Sequence, residues 1–315
     1  MKKVLAIMLV LVLALGTLSG CAPKAAEPAA KVKIGFAQAN LNDTFQTYVT
    51  DAAKAKATEL GFTLDVQDAQ EDVVKQQDQV KAMIEQGYKA IMVVPVDTSA
   101  MGPITAAVTA AKIPLIYVNR NPFGTENPPA GVYYVGSQEI VAGQFQADYL
   151  VKLLGTTKPV GVGILMGILS NEGAVKRTEG NVTVLAKNPN YKILDKAAGD
   201  WQSDKALAIT ENWITAYGKG LNAILANNDG MAQGAIQALE AAGRTDVLVM
   251  GVDAIPDAIK LVADGKMAAT VLQDAKGQGG GGVNVASEVL AGKTPAPITW
   301  IDFVLITKDN VASYK

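Results

Sequence analysis

The 315-residue sequence contains no histidine, only one cysteine and little excess charge of either sign. Without histidine, the chain lacks the commonest general base, the usual zinc ligand and the base of a serine-type triad. A single cysteine excludes an intramolecular disulfide. The formal net charge is −2 and no segment is strongly basic, which excludes nucleic acid as an expected partner. We therefore expect no metal and no cofactor.

The amino-terminal segment has the pattern of an export signal. Two lysines precede an apolar run over residues 4–15, which is too short to span a bilayer comfortably. The run is followed by Leu-Ser-Gly-Cys, which resembles a bacterial lipobox ending at Cys21. This pattern predicts a signal peptide over 1–20, lipidation of Cys21, a tether over 21–31 and an extracytoplasmic protein anchored to the cell membrane. The alternative is an ordinary signal peptide with a chance cysteine.

From Val32 onward, apolar strand patterns alternate with helical patterns. Predicted strands cover residues 32–38, 62–67, 90–95, 114–119, 132–137, 160–166, 191–197, 222–227, 247–252, 268–272 and 299–306. Predicted helices cover residues 45–60, 71–86, 104–111, 139–154, 174–187, 203–217, 231–242, 256–264 and 280–291. Repeated β–α units of this length predict an α/β fold with parallel sheets covered by helices on both faces. Typical sheet sizes favour two Rossmann-like domains over one wide sheet, with the break near 132–137.

Polar side chains follow five of the predicted strands. In open parallel sheets, ligands bind beyond the carboxyl ends of the strands, so these positions are candidates for a binding site. They are the segment ANLNDTF (39–45), Asn119 with Arg120, Asn228, Asp253 and Gln273. Carboxylate, amide and guanidinium groups can pair with two neighbouring hydroxyls of a sugar ring. Phe45 and Trp201 add flat apolar faces, which suit the C–H face of a pyranose.

Each candidate also has a purely structural interpretation. Asn228 and Asp253 precede helices and are suited to cap them. The other interpretations are a turn for Asn119, core packing for Phe45 and Trp201, and a solvated surface position for Arg120 and Arg177. The same chemistry at several independent strand ends favours binding.

The segment GQGGGG over 277–282 has the spacing of a dinucleotide-binding turn, but we do not interpret it as one. Such a turn follows its strand directly, whereas Asp274, Ala275 and Lys276 intervene here. In addition, only one predicted strand follows the segment. Glycines that let a helix approach its neighbours closely explain the run better.

Three long segments carry a family resemblance over almost all of residues 32–315, namely 68–97, 226–239 and 251–275. They resemble the periplasmic sugar-binding proteins of ABC transporters, most closely the galactose/glucose-binding members, with the ribose-binding members as near relatives. The resemblance implies two α/β lobes that are joined by three hinge crossovers and close over a sugar. The lobes are expected to comprise 32–136 with 275–300, and 137–274 with 301–315.

The resemblance also implies a role for each candidate residue. Asp43 takes the place of an acid that binds ring hydroxyls, and Phe45 that of a stacking aromatic residue in the first lobe. Trp201 is the opposite aromatic residue, and Arg177 matches an arginine of the second lobe. The polar residues that grip the sugar are matched by Asn119, Asn228, Asp253 and, at the hinge, Gln273.

The loop over 168–177 departs from the galactose/glucose-binding pattern. Asn171 and Gly173 stand where those proteins have a histidine and an aspartate, so two polar contacts to the sugar are altered or absent. The stretch 154–163 corresponds to a calcium loop of those proteins. It offers no carboxylate, and we expect no calcium there.

The expected function is capture of a neutral monosaccharide by lobe closure and delivery to an ABC permease, by a monomer that is not an enzyme. A neutral ligand is expected because two acids, Asp43 and Asp253, would balance the two arginines. Galactose or glucose is the first candidate, and ribose, another pentose or an inositol are the alternatives. Two other classes are an enzyme acting on a sugar through paired acids, and a transcription regulator of the same fold. The regulator would need a helix-turn-helix ahead of Val32, where this chain has an export signal.

Overall fold

The computed structural model describes residues 31–124 and 126–314, so the expected signal peptide, Cys21 and nearly all of the tether lie outside the described residues. Within them, strands and helices alternate. The strands are β1 (Lys33–Gln38), β2 (Thr63–Asp68), β3 (Ala90–Val93), β4 (Leu115–Val118), β5 (Val132–Gly136), β6 (Val160–Met166), β7 (Tyr191–Ala198), β8 (Ala223–Ala226), β9 (Leu248–Asp253), β10 (Ala269–Leu272), β11 (Ile298–Trp300) and β12 (Val304–Thr307). The helices are α1 (Thr44–Glu59), α2 (Val73–Glu85), α3 (Gly102–Ala110), α4 (Glu139–Leu154), α5 (Glu172–Leu185), α6 (Ser203–Tyr217), α7 (Asp229–Ala241), α8 (Pro256–Asp264) and α9 (Ala275–Leu290).

The first sheet has six parallel strands in the order β11-β5-β4-β3-β1-β2. Its strands β3 and β4 are apolar and fully buried, as expected when helices cover both faces of a sheet. Helices α1 and α9 pack together over one core, which contains Phe36 and Phe45. Helices α2 and α3 pack over the other core, which contains Met83 and Tyr117.

The second sheet also has six strands, in the order β12-β10-β9-β8-β6-β7. Five strands are parallel and the edge strand β12 runs antiparallel to β10. Helices α4 and α5 pack against each other over a core that contains Leu150 and Leu185. Helices α6, α7 and α8 contribute to the other core, which contains Trp213, Met231 and Ile259. The predicted α/β class with two parallel-sheet domains is confirmed.

The chain passes between the two sheets after β5, after β10 and between β11 and β12. The third passage corrects the prediction of one continuous strand over 299–306. Ile301 packs against the core of the first sheet and Phe303 belongs to a core of the second. The backbone therefore leaves one sheet before it joins the other. The lobe boundaries given above stay a prediction.

The glycine-rich segment lies inside α9, so the prediction that this helix begins at residue 280 is wrong. The helix begins at Ala275, and its N-cap Asp274 accepts a hydrogen bond from the Gly277 backbone N–H at 2.8 Å. A Cβ atom at Gly279 would lie 2.0 Å from the carbonyl oxygen of Val49 in α1. The two helices can therefore pack this closely only because Gly279 has no side chain. The segment serves helix packing, as the sequence indicated.

Candidate ligand-binding site

One cavity is lined by residues that follow strands of both sheets, and its empty volume is about 380 Å³. All ten candidate residues line it, together with Gly173 of the loop discussed above and two residues that the sequence did not indicate, Gln46 and Glu139. The ten are Asp43, Phe45, Asn119, Arg120, Asn171, Arg177, Trp201, Asn228, Asp253 and Gln273. A wider outer cleft of about 1240 Å³ shares five of these residues and adds acids such as Asp204.

Asp43 and Phe45 reach the cavity from the start of α1. Asp43 is the N-cap of this helix, and one of its carboxylate oxygens accepts a hydrogen bond from the Gln46 backbone N–H at 3.2 Å. Burial raises the pKa of Asp43, and this effect outweighs the nearby arginines and the backbone hydrogen bonds, which lower it. Phe45 is 4% exposed and belongs to the core of the first sheet. It therefore has the structural role considered above and also borders the cavity.

Asn119 is the centre of a buried amide network at the end of β4. Its Nδ2 donates to Gln273 Oε1 at 2.9 Å and to Gln278 Oε1 at 3.0 Å, and its Oδ1 accepts from Gln46 Nε2 at 2.8 Å. Its φ of 66° lies in the left-handed region, which an asparagine tolerates better than most residues. The network links the first sheet to Gln273, which follows β10 of the second sheet.

Arg120 is 6% exposed, so its interpretation as a solvated surface residue is wrong. Its guanidinium donates to the carbonyl oxygen of Pro95 at 2.8 Å and forms an ion pair with Glu71 at 3.4 Å. The charge of Arg120 is therefore used within the first lobe. Of the expected balance between the two site acids and the two arginines, the structure contains one ion-pair contact, between Arg177 and Asp253 at 3.9 Å.

Arg177 on α5 is also buried, which corrects the same surface interpretation. Its Nε donates to Glu139 at 2.6 Å, and its terminal nitrogens donate to the Asn227 carbonyl oxygen at 2.6 Å and to Gln273 at 3.2 Å. Its nearest approach to Asp253 is longer, at 3.9 Å. Although burial lowers it, the pKa of Arg177 is raised overall by the carboxylates of Glu139 and Asp253. Arg177 therefore remains a buried cation whose closest ion partner is Glu139.

Trp201 stands at the mouth of the cavity with a left-handed φ of 67°. Its indole N–H donates to Asn171 Oδ1 at 3.1 Å, and its ring lies 5.8 Å from the guanidinium carbon of Arg177. A Cβ atom at Gly167 would lie 2.1 Å from the ring, so the residue after β6 must be a glycine for Trp201 to lie there. Trp201 also packs against the core of the second sheet.

Both polar atoms of the Asn171 side chain are engaged by the protein, and one of them contacts the first lobe. Its Nδ2 donates across the cavity to the carbonyl oxygen of Val96 at 2.8 Å, while its Oδ1 holds Trp201. Next to it, Thr98 donates to the carbonyl oxygen of Ser170 at 3.1 Å. The loop before α5 thus contacts the first lobe directly.

The Asn-Asn-Asp segment after β8 both caps a helix and contributes a residue to the lining of the cavity. Asn228 is the N-cap of α7, since its Oδ1 accepts from the Met231 backbone N–H at 2.9 Å, which confirms the capping interpretation. Its Nδ2 donates to the Trp201 carbonyl oxygen at 3.3 Å, and Asn228 lines the cavity as well. Asp229 is fully buried and accepts from the Ile255 backbone N–H at 3.0 Å. Burial raises the pKa of Asp229 to about 7.

Asp253 ends β9 with a φ of 122°, a conformation rarely adopted by a side-chain-bearing residue. It does not cap α8, whose N-cap is Ile255, so the capping interpretation is wrong. One carboxylate oxygen accepts from Gln273 Nε2 at 3.0 Å. Burial raises the pKa of Asp253 well above its usual range, against the effect of Arg177. Such strain is typical of functional sites.

No pattern in the sequence marks Gln46 or Glu139 as a candidate site residue, in contrast to the ten candidates above. Both lie on helices, and the face that a helix turns towards a cleft is set by tertiary packing. Glu139 is 2% exposed and pairs with Arg177. Beside it, burial and then the Glu139 charge raise the pKa of Glu172 to about 8. A buried arginine requires a nearby carboxylate, but the burial of Arg177 became evident only from the structure.

None of the helices in the described part of the chain has both the length and the apolar character needed to cross a membrane. Across residues 31–124 and 126–314, no group of three or more cysteine, aspartate or glutamate side chains is arranged to hold a metal ion. Fold and cavity together define a two-domain binding protein whose ligand site takes polar groups from both sheets.

A family described as periplasmic binding protein domain matches residues 34–294. The chain is 38% identical over 288 residues to a proposed rhizopine-binding protein of Rhizobium meliloti, covering 90% of this chain and 92% of the relative. It is 33% identical over 279 residues to the ribose import binding protein of Salmonella typhimurium, covering 89% and 92%. A solved ABC transporter solute binding protein of Bacillus halodurans with bound myo-inositol has a TM-score of 0.84 at 35% identity, covering 91% of this chain and 98% of that chain.

The chain belongs to the periplasmic binding protein family. Within it, the similarity is to solute-binding proteins of ABC importers for sugars and polyols. The protein is therefore a binding component of a transport system and not an enzyme, which removes the enzyme alternative.

Proposed function

We propose that this protein captures a small polyhydroxylated ring, of the size of a pentose or an inositol, and delivers it to an ABC permease. The observation that carries the proposal is the convergence on one cavity of ten candidate residues, chosen from strand ends, aromatic side chains and a family resemblance. Amide and carboxylate groups there suit ring hydroxyls, and Trp201 and Phe45 suit an apolar ring face.

The relatives favour the alternative ligands over galactose or glucose. Ribose, rhizopine and myo-inositol occur in the names of the similar proteins described above. The loop before α5 supports the same preference, because Asn171 stands where a galactose/glucose site has a histidine and Asn171 uses its amide in protein contacts. We infer an inositol-class ring or a pentose as the ligand.

Capture proceeds by closure of the two lobes over the ligand. A ring that contacts both lobes binds the closed form better and shifts the equilibrium towards it. The contacts that already join the lobes, such as Asn171 to Val96 and Asn119 to Gln273, favour the closed form further. A ring of about a dozen heavy atoms can reach micromolar affinity, about −8 kcal/mol, without exceeding the usual bound for small ligands.

A thermal-shift panel of the purified protein tests the proposal, because a ligand of the folded state raises the melting temperature. The panel contains myo-inositol, scyllo-inositol, ribose, xylitol, galactose and glucose. We expect a clear increase with an inositol or ribose and little with galactose or glucose. If none of these compounds changes the melting temperature, the proposed function is wrong.

We further propose export and lipid anchoring through Cys21, on the basis of the amino-terminal pattern. The variant Cys21→Ser removes the only thiol that can carry the lipid. It is expected to appear in the soluble fraction, with ligand affinity within about twofold of the wild type, because Cys21 is remote in sequence from the site. Fractionation of cells followed by titration measures both. A variant that stays in the membrane fraction contradicts anchoring at Cys21.

A further inference from the structure

The polar groups around the cavity are of two kinds, hydrogen-bond donors and hydrogen-bond acceptors. The donor groups of the lining already donate to protein acceptors. They are the amide or indole nitrogens of Gln46, Asn119, Asn171, Trp201, Asn228 and Gln273 and the guanidinium groups of Arg120 and Arg177. A hydrogen-bond acceptor on the ligand therefore meets donors that already donate hydrogen bonds to protein acceptors.

Several acceptors of the lining also have partners, such as Asn119 Oδ1, Asn171 Oδ1 and Gln273 Oε1, but three residues keep unused acceptor capacity. Gln46 is 3% exposed and lines the cavity, yet its Oε1 has no hydrogen-bond partner within residues 31–124 and 126–314. Within the same described residues, Asp43 has no Lys or Arg nitrogen within 4.0 Å, and its carboxylate accepts from the backbone at the start of α1. Asp253 accepts a hydrogen bond from Gln273 at 3.0 Å, and its one ion-pair contact in these residues is to Arg177 at 3.9 Å. An unmet buried acceptor is costly, so the functional state must supply donors.

The charges around the cavity have the same asymmetry. Arg120 pairs with Glu71, and Arg177 pairs most closely with Glu139. Within the described residues these pairs leave Asp43 without an ion pair inside 4.0 Å, and leave Asp253 with the 3.9 Å contact to Arg177, a cation that lies closer to Glu139. Burial raises the pKa of both carboxyl groups, although the charge of Arg120 lowers it for Asp43 and that of Arg177 lowers it for Asp253.

We propose that the ligand carries a primary ammonium group beside its ring hydroxyls, and that the carboxylates of Asp43 and Asp253 bind this group. The inference rests on the proposed function and specifies its ligand class as an amino polyol. An ammonium has three donors and no acceptor, whereas a hydroxyl offers one donor and two acceptor lone pairs. The ammonium also supplies a positive charge next to the carboxylates of Asp43 and Asp253. A further ligand N–H or O–H then meets Gln46 Oε1.

Isothermal titration calorimetry at about pH 7 with matched ligands tests this inference. The probes are myo-inositol, scyllo-inositol and ribose, the amines in which one hydroxyl of each is replaced, and the N-acetylated forms of those amines. The best amine is expected to bind at least about tenfold more tightly than its parent, because charge-assisted hydrogen bonds are stronger than neutral ones. N-acetylation removes the charge and should abolish the gain. An amine that binds no better than its parent overturns the inference.

Two variants locate the effect. Asp43→Asn removes the charge and keeps an N-cap of similar strength, so the fold should be retained. It is expected to reduce amine affinity by about tenfold more than it reduces parent-polyol affinity, because only the amine loses a charge-assisted hydrogen bond. Asp204→Asn is the control, since it removes an exposed acid of the outer cleft that does not line the inner cavity.

The outcomes separate the two proposals. Equal losses for amine and parent in Asp43→Asn, or the same loss in Asp204→Asn, contradict ammonium binding by Asp43. A protein that binds parent polyols with no preference for amines keeps the proposed function and loses only this inference. A protein that binds none of the probes loses both.

Discussion

At the scale of single residues, Trp201 offers the largest apolar face of the cavity. Replacing it with alanine removes the ring that borders the ligand, as truncation of a buried aromatic anchor does at binding sites. We expect Trp201→Ala to weaken binding of the best polyol by about 2 kcal/mol, or about thirtyfold. Calorimetric titration measures the change.

Trp300→Ala is the matched control for Trp201. Trp300 is 42% exposed, contacts Tyr134 edge-to-face and does not line the cavity. Its replacement should leave affinity within about twofold, because no ligand contact is lost. Equal affinities of the wild type and Trp201→Ala would remove Trp201 from the site.

Asn171 should act on binding through the protein contacts of its side chain. Asn171→Ala removes the hydrogen bond to Val96 across the cavity and the acceptor that orients Trp201. We expect a loss of affinity of about 1–2 kcal/mol, the usual cost of losing such hydrogen bonds. Small-angle scattering of the ligand-free variant should give a larger radius of gyration than the wild type, since one lobe–lobe contact is gone.

A double-mutant cycle distinguishes this role from direct ligand binding. If Asn171 acts mainly by holding Trp201, the losses of Asn171→Ala and Trp201→Ala are not additive. Asn212→Ala, an exposed asparagine on α6, is the control and should change neither affinity nor scattering. Fully additive losses with an unchanged radius would contradict the indirect role.

The residues that the sequence identified share one property, which is their position after a strand or early in the next helix. Parallel strands carry these positions to the same edge of the sheet, so their convergence could be predicted without coordinates. The partners of Arg120 and Arg177 could not be predicted, because Glu71 and Glu139 are brought to them only by the packing of separate elements. Gln46 was missed for the same reason.

At the scale of elements, the close approach of α9 and α1 depends on Gly279. Gly279→Ala adds a methyl group 2.0 Å from the Val49 carbonyl oxygen, so the helices must separate. We expect a loss of about 1–3 kcal/mol in the free energy of unfolding, typical of overpacking. This loss is net of the gain of about 1 kcal/mol that alanine brings to a helix interior. Chemical denaturation measures it.

The neighbouring glycine provides the control for this prediction. A Cβ atom at Gly280 would come no closer than 3.8 Å to its neighbour, a side-chain atom of Lys56. Gly280→Ala should therefore stabilise the protein by up to about 1 kcal/mol through helix propensity alone. Similar effects of the two substitutions would show that close helix packing is not what selects Gly279.

Two boundaries predicted from the sequence differ from the structure, namely those of the run over 299–306 and the start of α9. The run over 299–306 has the pattern of one strand because it is largely apolar, and both Ile301, which is partly buried, and Phe303, which is buried, pack against cores. These are different cores, however, and a hydrophobicity pattern does not distinguish one core from another. The start of α9 was misplaced because glycine is unfavourable in helices, while the packing against α1 overrides that preference.

At the scale of the whole molecule, buried carboxyl groups should make stability depend on pH. The pKa of Glu172 is about 8 in the folded protein and 4.5 ordinarily, so the folded state binds more protons between these values. Stability therefore falls as pH rises from about 4.5 to about 8, and Asp229, with a pKa of about 7, acts in the same direction. The melting temperature should be a few degrees higher at about pH 6 than at about pH 8.5.

Glu172→Gln removes one of these titrations and should flatten the dependence of the melting temperature on pH. Glu179→Gln, an exposed residue of the same helix, is the matched control and should leave the dependence unchanged. Scanning calorimetry across this pH range compares the three proteins. A wild-type melting temperature that rises with pH between these limits would contradict the prediction.

The three passages between the sheets affect how the chain folds during synthesis. Strand β5 has β11 as its neighbour, and α1 has α9, yet 161 residues separate the end of β5 from the start of β11. A growing polypeptide therefore exposes an unpaired strand edge and an uncovered helix until α9 and β11 have left the ribosome. Neither sheet is formed by one continuous segment of the chain. A chaperone that binds the nascent chain would have to protect the unpaired edge of β5 throughout export.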